Sequence, residues 1–224
     1  FGRPVFKLLK IVSPEKASEM DFGERWAEVA EQVKDRISRG HWDSVASMGA
    51  QLKIMAPEML PKLELEKYWD EFKLQFGHYL SQEGRYDDSD YQMNNQNMLG
   101  LAVDLKILFP SRIDELKLDE CWERALPTYQ QFCEQGEWQK AMGLAVDIKM
   151  LYPEKEEQLD LRKNWPNMKK AFHDEYKGEE HFTEYTAIVI AAQLEILSAK
   201  EVRIINGEAK LITTEGSFKQ KVQA

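Results

Sequence analysis

The side chains with the potential for chemistry are few, and their spacing rules out most of what they could do. The four histidines are His41, His78, His173 and His181, and none has the spacing within a helical turn that a metal pair on one helix face needs. His173 stands next to Asp174 and Glu175, but adjacent residues on a helix do not face each other. All four read as surface histidines. Asp87-Asp88-Ser89-Asp90 resembles part of a calcium loop but lacks its glycine and closing glutamate, so it reads as a solvated loop. Cys121 and Cys133, if they share one helix, lie about 18 Å apart, too far for a disulfide. No glycine-rich phosphate loop, His-Glu-x-x-His pair or nucleophile elbow occurs. The expectation is a non-catalytic chain with no cofactor and no resident metal.

Another set of polar residues is defined by position. Gln51, Asp104, Asp147 and Gln193 each stand six residues before Pro57, Pro110, Pro153 and Ala199, respectively. Lys53, Lys106 and Lys149 follow two residues later. If the segments are equivalent helices stacked in a row, such residues form lines along one surface. A line of this kind either contacts an extended protein partner or is simply the solvated face. Phe109 and Tyr152, just before their prolines, are either exposed aromatic anchors for a partner or packing between repeats.

The prolines belong to an internal repeat. Lys-Ile-Val-Ser-Pro ends at Pro14, and related strings end at Pro57, Pro110 and Pro153. A tryptophan follows each proline by 12 residues: Trp26, Trp69, Trp122 and Trp165. The prolines are 43, 53 and 43 residues apart, so one interval holds an insertion of about ten residues, placed in the polar stretch 81–95. A degenerate fifth copy, without its proline, ends at Ala199.

Two helices are expected per unit. The helix before the proline has apolar or small residues at 15, 12, 9, 8, 5 and 2 positions upstream, as in Trp138, Ala141, Leu144, Ala145, Ile148 and Leu151. These fall on one helical face. The eighth position is small (Gly49, Ala102, Ala145, Ala191), as a close helix neighbour requires. Proline then stops the helix. The next helix begins near the tryptophan and carries the stripes Trp26/Val29/Val33, Trp69/Phe72/Phe76, Trp122/Ala125/Tyr129 and Trp165/Met168/Phe172. Gly40, Gly84, Gly136 and Gly178 mark its far end as left-handed C-caps. Pro127 and Pro166 either sit near helix starts or kink the helix.

With glycine, tryptophan, small residue and proline at Gly40-x-Trp42-x-x-Val45…Pro57 and Gly136-x-Trp138-x-x-Ala141…Pro153, the unit resembles the tetratricopeptide repeat. It is lengthened in one helix and in the link after the proline, giving about 43 residues in place of the family's 34. The resemblance implies an all-α fold, an α-α solenoid in which helix pairs wind as a right-handed superhelix, over residues 1–200. It also implies a scaffold that binds a protein or peptide along a helical-repeat surface.

The chain ends and the bulk composition complete the expectation. The chain opens without methionine and in mid-repeat, which favours upstream sequence having been removed. Residues 201–216, with Asn206-Gly207 between two β-like runs, read as a C-terminal β-hairpin, either a terminal cap or an edge for a partner strand. Residues 217–224 read as a mobile tail. The net charge of −9 opposes nucleic-acid binding, which needs surplus Lys and Arg, so a helical-repeat RNA binder is the alternative reading, beside a regulatory domain of a larger enzyme. No apolar run approaches the roughly 20 residues of a membrane span. The absence of a signal-peptide pattern and the two unpaired cysteines favour a cytoplasmic subunit of a multi-protein complex.

Overall fold

Two helices end where Pro57 and Pro153 require it, while Pro127 and Pro166 lie inside helices. The computed structural model describes residues 22–81 and 88–177, together with three short strands at 202–205, 208–211 and 218–219. The helices are α1 (Phe22–Ser38), α2 (Trp42–Met55), α3 (Trp69–Ser81), α4 (Asp88–Leu108), α5 (Leu118–Gln135), α6 (Trp138–Leu151) and α7 (Leu161–Lys177). Ala56 and Tyr152, the residues before Pro57 and Pro153, leave the helical region (φ −143° and −129°), because the proline ring crowds a helical predecessor. Each still donates its N–H to the carbonyl four residues back, Leu52 and Ile148, at 2.8 Å.

The glycine caps form as expected where they are described. Gly40 and Gly136 have φ of 68° and 73°, a left-handed conformation that glycine adopts without a Cβ penalty. His41 N–H reaches Arg36 O at 3.0 Å and Gly40 N–H reaches Ile37 O at 3.0 Å. Glu137 to Phe132 (2.9 Å) and Gly136 to Cys133 (3.3 Å) repeat the pattern. These paired bonds satisfy the last carbonyls of α1 and α5. Gly84 and Gly178 lie outside the described residues.

Most of the expected stripe positions are buried, while Trp26, Val29, Trp42, Met48, Trp122 and Trp138 are half-buried. Val45, Ala46, Gly49, Ala50 and Leu52 of α2 are buried, as are Met98, Leu101, Ala102, Leu105 and Leu108 of α4, and Ala141, Leu144, Ala145, Ile148 and Leu151 of α6. The first helices bury Val33, Trp69, Phe72, Phe76, Ala125, Tyr129, Trp165 and Met168. An added Cβ on Gly49 would stand 2.6 Å from Leu65 Cδ1 and 3.2 Å from both Leu108 methyls, the close neighbour that the small residue was expected to admit.

Three details differ from the sequence reading. Helices α1, α5 and α7 start four residues before their tryptophans rather than at them. The links after the prolines are wound into 3-10 turns at Leu60–Leu63, Leu65–Tyr68, Ile113–Glu115 and Pro153–Leu159, and the leucine six residues after each proline (Leu63, Leu116, Leu159) is buried. The insertion is not wholly a loop. From Asp88 onward it is helix, so α4 has 21 residues where α2 and α6 have 14.

The described residues fall into two compact units divided between Thr128 and Tyr129. In the first, α2 packs on α1, α3 and α4, and α3 on α4. In the second, α6 packs on α7 and on the turns at Pro153–Leu159. Helix α5 supplies residues to both. Strands β1 (Val202–Ile205), β2 (Glu208–Leu211) and β3 (Phe218–Lys219) pair antiparallel in the order β1-β2-β3, with Ile205 opposite Glu208.

Candidate partner-binding surface

The aromatic half of the expected surface is mostly packing. Tyr152 is 4% exposed, so it is not an exposed anchor. Its backbone leaves the helical region before Pro153, and Lys155 Nζ lies 5.1 Å from its ring centroid. Phe109 is half-buried, with its ring 5.5 Å from Trp69 and 5.9 Å from Phe72. The reading of these two as packing between repeats fits the geometry. As a partner anchor, Tyr152 lacks the exposure that role requires.

The polar half stays near the surface. Gln51, Asp104 and Asp147 are all half-buried, while Gln193 lies outside the described residues. Gln51 Nε2 donates to Ser47 Oγ at 3.2 Å, and Asp104 and Asp147 each take part in interactions within the protein. Gln51 and Asp104 stand on α2 and α4, which pack together. Asp147 belongs to the second unit. The lysines beside them are not merely solvated: Lys53 Nζ donates to the last carbonyl of α4, Leu108 O, at 2.8 Å, and Lys149 Nζ pairs with Glu156 Oε1 at 2.7 Å. A cation on terminal helix carbonyls is favourable, so Lys53 holds two helices together.

Sequence reasoning missed the charged cluster over Trp69. Trp69 Nε1 donates to Glu115 Oε2 at 2.7 Å. Arg112 Nε donates to Glu115 Oε1 at 2.8 Å and stacks its guanidinium 4.8 Å from the Trp69 ring centroid. Lys73 Nζ adds a third donor at 3.3 Å. The Arg112 hydrogen bond first, then that of Trp69, hold the Glu115 carboxyl down to about 2. Glu115 stands five residues after Pro110, and at the same place after Pro57 Lys62 Nζ lies 5.9 Å from the Trp26 ring centroid. The links after Pro57 and Pro110 thus each bring a charged side chain to a tryptophan earlier in the chain. The repeat register contained that signal.

A second missed feature is polar and buried. Gln92, Asn94, Asn95 and Thr128 are buried. Asn95 Nδ2 donates to Thr128 Oγ1 at 2.9 Å, and Asn94 Nδ2 to Tyr79 O at 2.9 Å. Arg124 donates to Tyr79 O and Leu80 O, and Tyr79 OH donates to Asp43. The sequence signal was Asn95 itself, which stands fifteen residues before Pro110, where Trp42 and Trp138 stand in the neighbouring copies.

Leu74 and Met93, 76% and 61% exposed, are large apolar side chains left in solvent. Leu74 stands five residues after its tryptophan, where the other copies carry Glu31, Pro127 and Lys170. Among the described residues no cluster of His, Cys, Asp or Glu could hold a metal, and no helix is long and apolar enough to cross a membrane. No family profile matches the chain, and no curated protein or solved structure does so.

Proposed function

We propose that the chain is a tetratricopeptide-like solenoid that binds a protein or peptide partner along a helical-repeat surface, as a non-catalytic scaffold or subunit of a cytoplasmic assembly. One observation supports this most. Copies far apart in sequence bury the same register positions, while the position six before the proline stays half-exposed in Gln51, Asp104 and Asp147. Packing therefore accounts for the residues five, eight and twelve before the prolines, while the polar series stays half-exposed, at the kind of surface with which a solenoid engages extended partners. The exposed Leu74 and Met93 supply apolar area of the kind interface cores use. In this reading the C-terminal strands cap the repeat stack.

The test is a double substitution, Asp104→Asn with Asp147→Asn, which keeps shape and removes charge. A partner captured from the native host is purified, and its affinity for both proteins is measured by calorimetry. At least a tenfold loss in affinity, about 1.4 kcal/mol, is expected while the helical content and cooperative unfolding of the parent are retained. Unchanged affinity removes the reading.

A further inference from the structure

We infer that the outward face of α3 pairs antiparallel with the same face of a second copy of this chain, about a two-fold axis between Leu74 and Gly77. Asp70, Leu74, Gly77, His78 and Ser81 are exposed, whereas Trp69, Phe72, Phe76 and Leu80 on the opposite side are buried. Asp70, Leu74, Gly77 and Ser81 are four, three and four residues apart, the spacing of a coiled-coil seam. At its centre Leu74 is 76% exposed, and an added Cβ on Gly77 would meet nothing within 4 Å. Packing within the chain therefore does not call for a glycine, which weakens a helix relative to alanine. Nor does the repeat call for either residue. In α1 the same two positions hold Glu31 and Lys34, an exposed ion pair at 3.8 Å. In α5 and α7 they hold Pro127 with Gln130 and Lys170 with His173.

A leucine and a glycine three residues apart on one exposed face make that face complementary to itself. When two copies of α3 run antiparallel about the axis, Leu74 of each faces Gly77 of the other, where the missing side chain admits it. The charges are complementary in the same arrangement. Glu71 and His78 lie on one flank of the seam, and the antiparallel pairing sets Glu71 of each copy beside His78 of the other, an acidic carboxylate next to a basic imidazole. A parallel pairing would set Leu74 against Leu74 and Glu71 against Glu71. Helix α3 has 13 residues, so the contact falls below the roughly 1,200 Å² at which stable interfaces begin, and the dimer is weak. The chain is thus monomeric at the micromolar concentrations of unfolding experiments. The pairing is also independent of the polar series, no member of which lies on α3.

The experiment is sedimentation equilibrium of the full chain at concentrations up to about 1 mM. The parent is expected to reach a dimer, and Leu74→Glu to weaken association by about tenfold or more. A parent that stays monomeric throughout, or a Leu74→Glu protein that associates as the parent does, overturns the pairing. His78→Glu sets like charges beside each other across the seam and should weaken association by about threefold or more. Adding Glu71→Lys to it should bring association back. No weakening by His78→Glu, or no recovery in the double variant, overturns the antiparallel arrangement. All three changes are made on the solvent side of α3, and circular dichroism is expected to show the parent's helical content in each.

Discussion

Two glycines that look alike in sequence should respond to alanine in opposite directions. Both lie inside helices, Gly49 in α2 and Gly77 in α3, so alanine gains about 1 kcal/mol of helix propensity at each. At Gly77 the new methyl meets nothing within 4 Å, and that gain stands alone. At Gly49 the methyl would sit 2.6 Å from Leu65 Cδ1 and 3.2 Å from both Leu108 methyls, against about 3.5–4.0 Å for unstrained carbon contacts. Leu65 and Leu108 are only 4% and 5% exposed, so neither has open space to move into. Overpacking of this kind costs about 1–3 kcal/mol. With two leucines crowded at once, we take about 2, leaving a net loss of about 1 kcal/mol after the propensity gain. For a chain of this length 1 kcal/mol moves the melting temperature by roughly 2–4 °C. Gly77→Ala should therefore melt higher by that amount and Gly49→Ala lower by the same. Urea midpoints should shift in the same directions with unchanged slopes. A Gly49→Ala protein as stable as the parent would refute the close approach of Leu65 and Leu108.

Tyr129→Phe should destabilise the protein by about 1–2 kcal/mol in urea unfolding, because it removes a buried donor and leaves Leu159 O with Asn164 alone. Burial pushes the Tyr129 phenol well above its ordinary value, so it stays protonated and the effect should be flat across neutral pH. Glu115 behaves oppositely, with a folded pKa of about 2 against an ordinary 4.5. Its contribution is complete above 4.5 and is lost as pH falls through about 2, so Glu115→Gln should flatten the acid limb of the stability profile. A carboxyl titration by NMR with its midpoint near 4.5 would contradict the cluster over Trp69.

What the sequence made legible was whatever one residue type dictates locally. Gly40 and Gly136 could be read as C-caps because few other residues adopt a left-handed backbone at so little cost. The stripes were legible because a period near 3.6 persists over several turns. The 3-10 turns were not, since three or four residues are too short to show a period. Their buried leucines, Leu63, Leu116 and Leu159, become visible only when the copies are aligned on their prolines. The sequence leaves Tyr152 open between surface anchor and packing for a related reason. A residue at a helix end has no face assigned by periodicity, and its burial comes from the neighbours that the fold brings to it.

Helix α4 shows why a local departure from the repeat cannot be read one residue at a time. Its neighbours are separated from their preceding helices by Gly40 and Gly136; at that register α4 has Met93, and the helix runs through without a break. Two residues on, a tryptophan gives way to Asn95, which is fully buried. An amide there would be costly if isolated; its N–H bonds Thr128, which in turn bonds Arg124 O, while its Oδ1 is buried without a hydrogen-bond partner in the protein. Where α1 and α5 close their last carbonyls by backbone bonds across a glycine, Tyr79 O and Leu80 O at the end of α3 receive Asn94 and Arg124. A guanidinium is well suited to a helix C-terminus. The lengthened helix, the lost tryptophan and the side-chain cap are thus parts of one arrangement. Replacing Asn95 by the repeat's own tryptophan would break it rather than restore the pattern, because the ring would fill the site and leave Thr128 without its donor.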